Sequence, residues 1–157
     1  SQNLTAEVEK LQPDVILIDT DSPSRDTLEN LAAMHKNMPR PVVIFTQEDG
    51  RSTIRDAVRA GVSAYVVDGL DPRRIKPIVE VARARFEDRQ ALRRELDEMS
   101  QRLSDRKLVD KAKGVLMKAR GLEEDAAYHA MRKLAMERGQ TMAKVARDVI
   151  DMARVLL

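Results

Sequence analysis

The chain has 157 residues, 43% hydrophobic and 34% charged, with a net charge of +2, which excludes a disordered chain and fits one or two small soluble domains. It contains no Cys and no Trp, so disulfides, thiolate nucleophiles and cysteine-bound zinc are excluded and the core must be aliphatic. The longest apolar runs, VILI and PVVIF, are far too short to span a bilayer and no basic-apolar leader opens the chain, which predicts a cytoplasmic protein.

Charge is unevenly divided along the chain. Residues 1–82 carry 10 basic and 13 acidic side chains for a net of −3, while residues 83–157 carry 18 and 13 for a net of +5. The second part is therefore the candidate for a polyanionic partner.

The first element is a helix, LTAEVEKL. Three short β-branched runs follow: PDVILID (13–19), PVVIFTQ (41–47) and SAYVVD (63–68). The first two are apolar enough to be strands buried on both faces. Between them, SRDTLENLAAMHKN and DGRSTIRDAVRAG have helical spacing, with Gly61 a C-cap and Pro72 opening the next helix. Strand and helix in alternation predict a parallel α/β sheet, whose ligands bind at the carboxyl ends of the strands, here Asp19, Thr46 and Asp68.

This layout resembles the receiver domain of response regulators, a flavodoxin-like fold. Asp19, ending its strand and followed by Pro23, matches the phosphoacceptor aspartate; Thr46 matches the hydroxyl switch residue and Tyr65 the switch aromatic. Two features depart from the pattern. Val67-Asp68-Gly69 stands where a lysine should end the last strand, and the family's first two strands are absent, together with the acidic pair that helps hold Mg²⁺. The receiver is thus N-terminally incomplete. Mg²⁺ at Asp19 is expected only if such a pair precedes Ser1.

From Asp71 to Leu103 the pattern is one long helix. Leu92, Leu96, Met99 and Leu103, at spacings of four, three and four, form a coiled-coil seam among charged residues, which predicts a homodimer. Three shorter helices follow: SDRKLVDKAKGVLMKARG, closed by Gly121; EEDAAYHAMRKLAMERG, with an acidic first turn and closed by Gly139; and MAKVARDVIDMARVLL, N-capped by Thr141. The expected organisation is 1–77 receiver-like, 78–103 coiled-coil linker and 104–157 an all-α three-helix unit.

On the first of these three helices, Leu108, Ala112, Val115, Leu116 and Ala119 share an apolar face. Lys107, Lys111, Gly114 and Lys118 line up away from it, with Arg106, Lys113 and Met117 beside them. A Gly in a helix interior costs roughly 1 kcal/mol against Ala, so one set among cations points to close approach by another molecule's backbone. On the second helix Tyr128 and Arg132 lie one turn apart, a pair suited to stacking on unpaired bases and binding phosphate. Ala126, Ala135 and Ala146 are assigned to helix packing, and Val145, Val149, Met152 and Leu156 to the buried face of the third helix. His35 and His129, far apart in sequence, are expected to be ordinary helix residues.

The run from Arg106 to Met117 (RKLVDKAKGVLM), with Ala126-Ala127-Tyr128, Met131 to Ala135 (MRKLA) and Val145-Ala146, resembles the ANTAR domain, the AmiR and NasR transcription antitermination regulator module. The receiver part is similar to NasT-type regulators of nitrate and nitrite assimilation. The resemblance implies binding to paired small hairpins of nascent leader RNA, preventing a terminator, with control by a sensor partner of the NasS type. Two rivals remain: a DNA-binding response regulator controlled by Asp phosphorylation, and a dimerisation or partner-binding module without nucleic acid. No nucleophile, base and orienting group are arranged for catalysis, so no enzyme is expected.

Overall fold

The computed structural model describes residues 4–156. The elements run α1 (Leu4–Leu11), β1 (Ile16–Asp19), α2 (Arg25–Asn37), β2 (Val42–Thr46), α3 (Arg51–Arg59), β3 (Ala64–Val67), α4 (Pro72–Arg120), α5 (Glu124–Arg138) and α6 (Met142–Leu156). Two compact units divide the chain after Leu92.

In the first unit the strands form a parallel sheet in the order β1-β2-β3, with Ile16 paired to Val42 and Val43 to Ala64. Every residue of β2 is buried. Its alternation feeds two cores: Val42 and Ile44 pack with Leu28, Leu31, Met34 and Ala57 of α2 and α3, while Val43 and Phe45 pack with Ala82, Ile75 and Ile78 of α4. Helices on both faces account for the continuous apolar run of this strand.

The expectation that β1 is buried on both faces is corrected. It alternates half-buried and exposed residues, and Leu17 is 44% exposed. Among the described residues only the middle strand has a strand on each side. The strands are also shorter than the apolar runs, because the flanking residues already belong to turns.

The C-cap of α3 is Ala60 and not Gly61; Gly61 comes just after it with φ +96, and a Cβ there would meet the His35 ring at 2.5 Å. The turn therefore lets His35 of α2 lie against the backbone, where its ring meets Phe86 of α4 edge-on with centroids 6.3 Å apart. Ser24 caps α2 by accepting from Thr27 N at 3.1 Å.

No break separates a linker helix from the helix that follows. The expected boundary at 103–104 lies inside α4, a continuous run of 49 residues. Nothing between Pro77 and Gly114 is a Gly or Pro, so no stop signal interrupts the backbone ladder.

In the second unit, Ala112, Met131, Ala135, Val145, Ala146 and Ile150 form the core, with Leu108, Val109, Leu116, Leu134, Met142 and Val149 packed against it. Thr141 caps α6, accepting from Lys144 N at 3.1 Å. Three packing assignments shift. Ala127 is buried and Ala126 exposed; on α4 Val109 replaces the exposed Ala119; and α6 buries Ile150 beside Val145 and Ala146, leaving Met152 61% and Leu156 74% exposed. A one-residue change of register turns a helix by nearly a third of a revolution, which is enough to exchange neighbouring alanines.

Candidate nucleic-acid interface

The apolar face of α4 fixes the direction of its basic stripe. With Leu108, Val109, Ala112 and Leu116 turned into the core, helical geometry places Lys107, Lys111, Gly114 and Lys118 on the far side, and all four are exposed. A Cβ built on Gly114 would meet nothing within 4 Å. The glycine thus answers no packing need inside the fold. Arg106 is exposed too, and Met117 is 37% exposed.

Lys113 departs from its neighbours. Its side chain is only 16% exposed, and its Nζ lies 3.3 Å from Asp110 Oδ1 and 3.0 Å from Glu124 Oε1. The hydrogen bond to Glu124, then that to Asp110, raises its pKa above the ordinary lysine value. Its charge is already satisfied within the protein, and it ties α4 to the first turn of α5. The Asp110 partner was visible in the i,i+3 spacing; Glu124 lies beyond a turn that no periodicity spans.

On α5, Ala127, Met131 and Ala135 are buried, which leaves Tyr128 39% exposed and Arg132 exposed one turn later. The Tyr128 ring meets the His129 ring edge-on, centroids 6.0 Å apart and planes at 76°. A planar ring and a guanidinium on one helix flank can stack on a base and hold its phosphate.

The ANTAR domain family matches residues 97–150, which takes in all nine of these residues. Over 140 residues the chain is 34% identical to the transcriptional regulatory protein PdtaR of Mycobacterium tuberculosis, covering 89% of this chain and 68% of that one. This chain is an ANTAR-domain regulator.

Two further relatives are similar to the ANTAR regulator over shorter or looser matches. The nitrate regulatory protein of Klebsiella oxytoca is 35% identical over 83 residues, covering 53% of this chain and 21% of that one. The aliphatic amidase regulator of Pseudomonas aeruginosa is 21% identical over 123 residues, covering 78% and 63%.

In the receiver-like unit of the ANTAR regulator, Asp19 is exposed at the end of β1. Thr46 is buried, its hydroxyl donating to Asp21 O at 2.8 Å and accepting from Glu48 N at 3.2 Å. The Tyr65 hydroxyl donates to Glu48 O at 2.7 Å, and burial, then the Glu48 charge, raises its pKa. Both switch-like residues thus have their hydroxyls bonded into the loop after β2. Asp68, with φ 77, occupies the end of β3 in a left-handed conformation. Among the described residues no group of three or more acidic or histidine side chains could hold a metal ion, so these residues by themselves do not make up a donor set for Mg²⁺. No described helix is long and apolar enough to cross a membrane.

Proposed function

We propose that this ANTAR regulator is an RNA-binding transcription antiterminator that takes paired hairpin loops of a leader RNA on its basic unit. The observation that carries the reading is the exposed Lys107, Lys111, Gly114, Lys118 stripe, centred on a glycine whose missing side chain leaves open space. Lysines supply the salt-dependent phosphate attraction, and the bare glycine lets a sugar-phosphate strand lie against the helix. Arg106, Met117 and Tyr128 border it and meet the splayed loop bases, and Arg132 holds an adjoining phosphate. Lys113 holds α5 in place for them.

The charges of α6 support RNA over a DNA recognition helix. Arg147, Asp148, Asp151 and Arg154 alternate in sign there, and Lys144 is tied to Asp148 at 2.9 Å. Similarity to a nitrate regulatory protein supports nitrate or nitrite assimilation genes as the field of control, and the resemblance of the receiver part to NasT-type regulators implies a NasS-type sensor as partner. The receiver-like unit then serves as a platform for that partner, and a homodimer through α4 presents two RNA-binding surfaces to a two-hairpin target.

The test compares a hairpin pair with duplex DNA of equal length by fluorescence anisotropy across a salt series. Preference for the hairpins, with log Kd rising linearly with log salt, is the expected result. Gly114→Ala sharpens it: the added methyl has room, so stability should rise by up to about 1 kcal/mol while hairpin affinity falls. Equal affinity for both nucleic acids, or unchanged hairpin binding by Gly114→Ala, would count against the reading.

A further inference from the structure

The outer face of α5 carries a second arrangement of side chains. His129, Arg132, Lys133, Met136 and Glu137 line a shallow, open groove of about 400 Å³ on the surface of this one helix. Their spacings of three, four, seven and eight residues bring all five to one side of the helix, opposite the buried Ala127, Met131 and Ala135. Met136 is 74% exposed. A long thioether standing in water among an imidazole, a guanidinium and an ammonium is suited to a flat, electron-rich ring, since sulfur favours aromatic contact and the cations favour its π face.

The groove is continuous with the flank already described, because Arg132 belongs to both and the His129 ring abuts Tyr128. Its charges are also available. Lys113 and Lys144 are drawn into ion pairs, whereas among the described residues neither Lys133 nor Glu137 is.

Glu137 decides which base fits. An ionised carboxylate only accepts hydrogen bonds, and with two oxygens it matches an edge bearing two adjacent donors. Guanine presents such an edge in N1–H and its 2-amino group. Adenine and cytosine place a ring-nitrogen acceptor there, and uracil flanks its single N–H with two carbonyls. We propose that this groove holds one unpaired guanine of the bound loop, stacked on Met136 and His129, read by Glu137, with Arg132 and Lys133 on the adjoining phosphates. The proposal rests on the RNA-binding reading.

Hairpins with a randomised loop, partitioned on the full chain and sequenced, test it. The wild type should select a loop position dominated by guanine. Replacing that guanine with inosine, which lacks the 2-amino group, should weaken wild-type binding roughly tenfold, and Glu137→Gln should lose most of that discrimination. Met136→Ser should weaken binding roughly two- to tenfold with an unchanged salt slope, whereas Lys133→Ala should flatten the slope. All three positions are exposed, so melting temperatures should stay near wild type. A selected guanine that is indifferent to both Glu137→Gln and Met136→Ser, or another base at the position Glu137 controls, overturns the groove and leaves the RNA reading standing. A pool from which the wild type selects nothing overturns both.

Discussion

Lys113 lies in a lysine-rich turn, yet its two carboxylate contacts and 16% exposure give it a different task from Lys111 and Lys118. Lys113→Ala should therefore lower the melting temperature and weaken hairpin binding without changing its salt slope. Lys111→Ala should flatten the slope by roughly 0.7 to 0.9 for each phosphate that the lysine neutralises and leave melting unaltered. Because the Lys113 pKa is raised in the fold, its contribution is complete below the ordinary lysine value of 10.5 and disappears as pH rises through the folded value. Thermal melts above that pH should thus fall more steeply for wild type than for Lys113→Ala. A second residue is decided by its surroundings in the same way. Gly61→Ala combines a φ of +96 with a Cβ pushed into the His35 ring, and should cost roughly 1–3 kcal/mol from backbone strain alone, measured by urea denaturation.

At the scale of the element, α4 holds the least satisfied part of the described chain. Every residue from 91 to 104 is exposed, including Leu92 at 60%, Leu96 at 65%, Met99 at 56% and Leu103 at 57%. A helix packed on nothing draws its stability from propensity alone, whereas an apolar stripe at heptad spacing offers a partner helix a seam. Leu92→Asp with Leu96→Asp should convert a dimer into a monomer in analytical ultracentrifugation, since each charge would need desolvation in the seam. An unchanged sedimenting mass would rule out the seam. The helices and strands were legible in the sequence because their periods are strong: β2 and the 4-3-4 spacing read directly. The continuity of α4 was not, because the seam ends at Leu103 and suggests a boundary that the backbone, lacking Gly or Pro there, does not make. Ala146 was legible as a packing residue and is buried, but Ile150 was not: it lies one residue from Val149, about 100° around the helix, and packing in the second unit's core selects it.

Across the whole molecule, the first 82 residues carry −3 and the remainder +5, so polyanion binding and its control are assigned to different parts of the chain. The basic stripe was legible because lysine spacing alone fixes a helix face, while the Lys113–Glu124 link was not, since it joins two elements across a turn. The receiver-like site was legible as positions, and its departure from the pattern carries the last prediction. An acylphosphate on Asp19 would meet no ammonium from the residue after β3, because Asp68 stands there with a short acidic side chain, so the added negative charge lacks the cation that the receiver pattern supplies. The Thr46 and Tyr65 hydroxyls already have partners in Asp21 O, Glu48 N and Glu48 O, so neither waits for a phosphate to bond. Asp19→Asn should accordingly leave hairpin affinity within about twofold of wild type, and incubation with a small phosphodonor such as acetyl phosphate should change neither protein's binding. A large loss of affinity in a folded Asp19→Asn protein, joined to phosphodonor labelling of the wild type that the variant lacks, would restore control by phosphate.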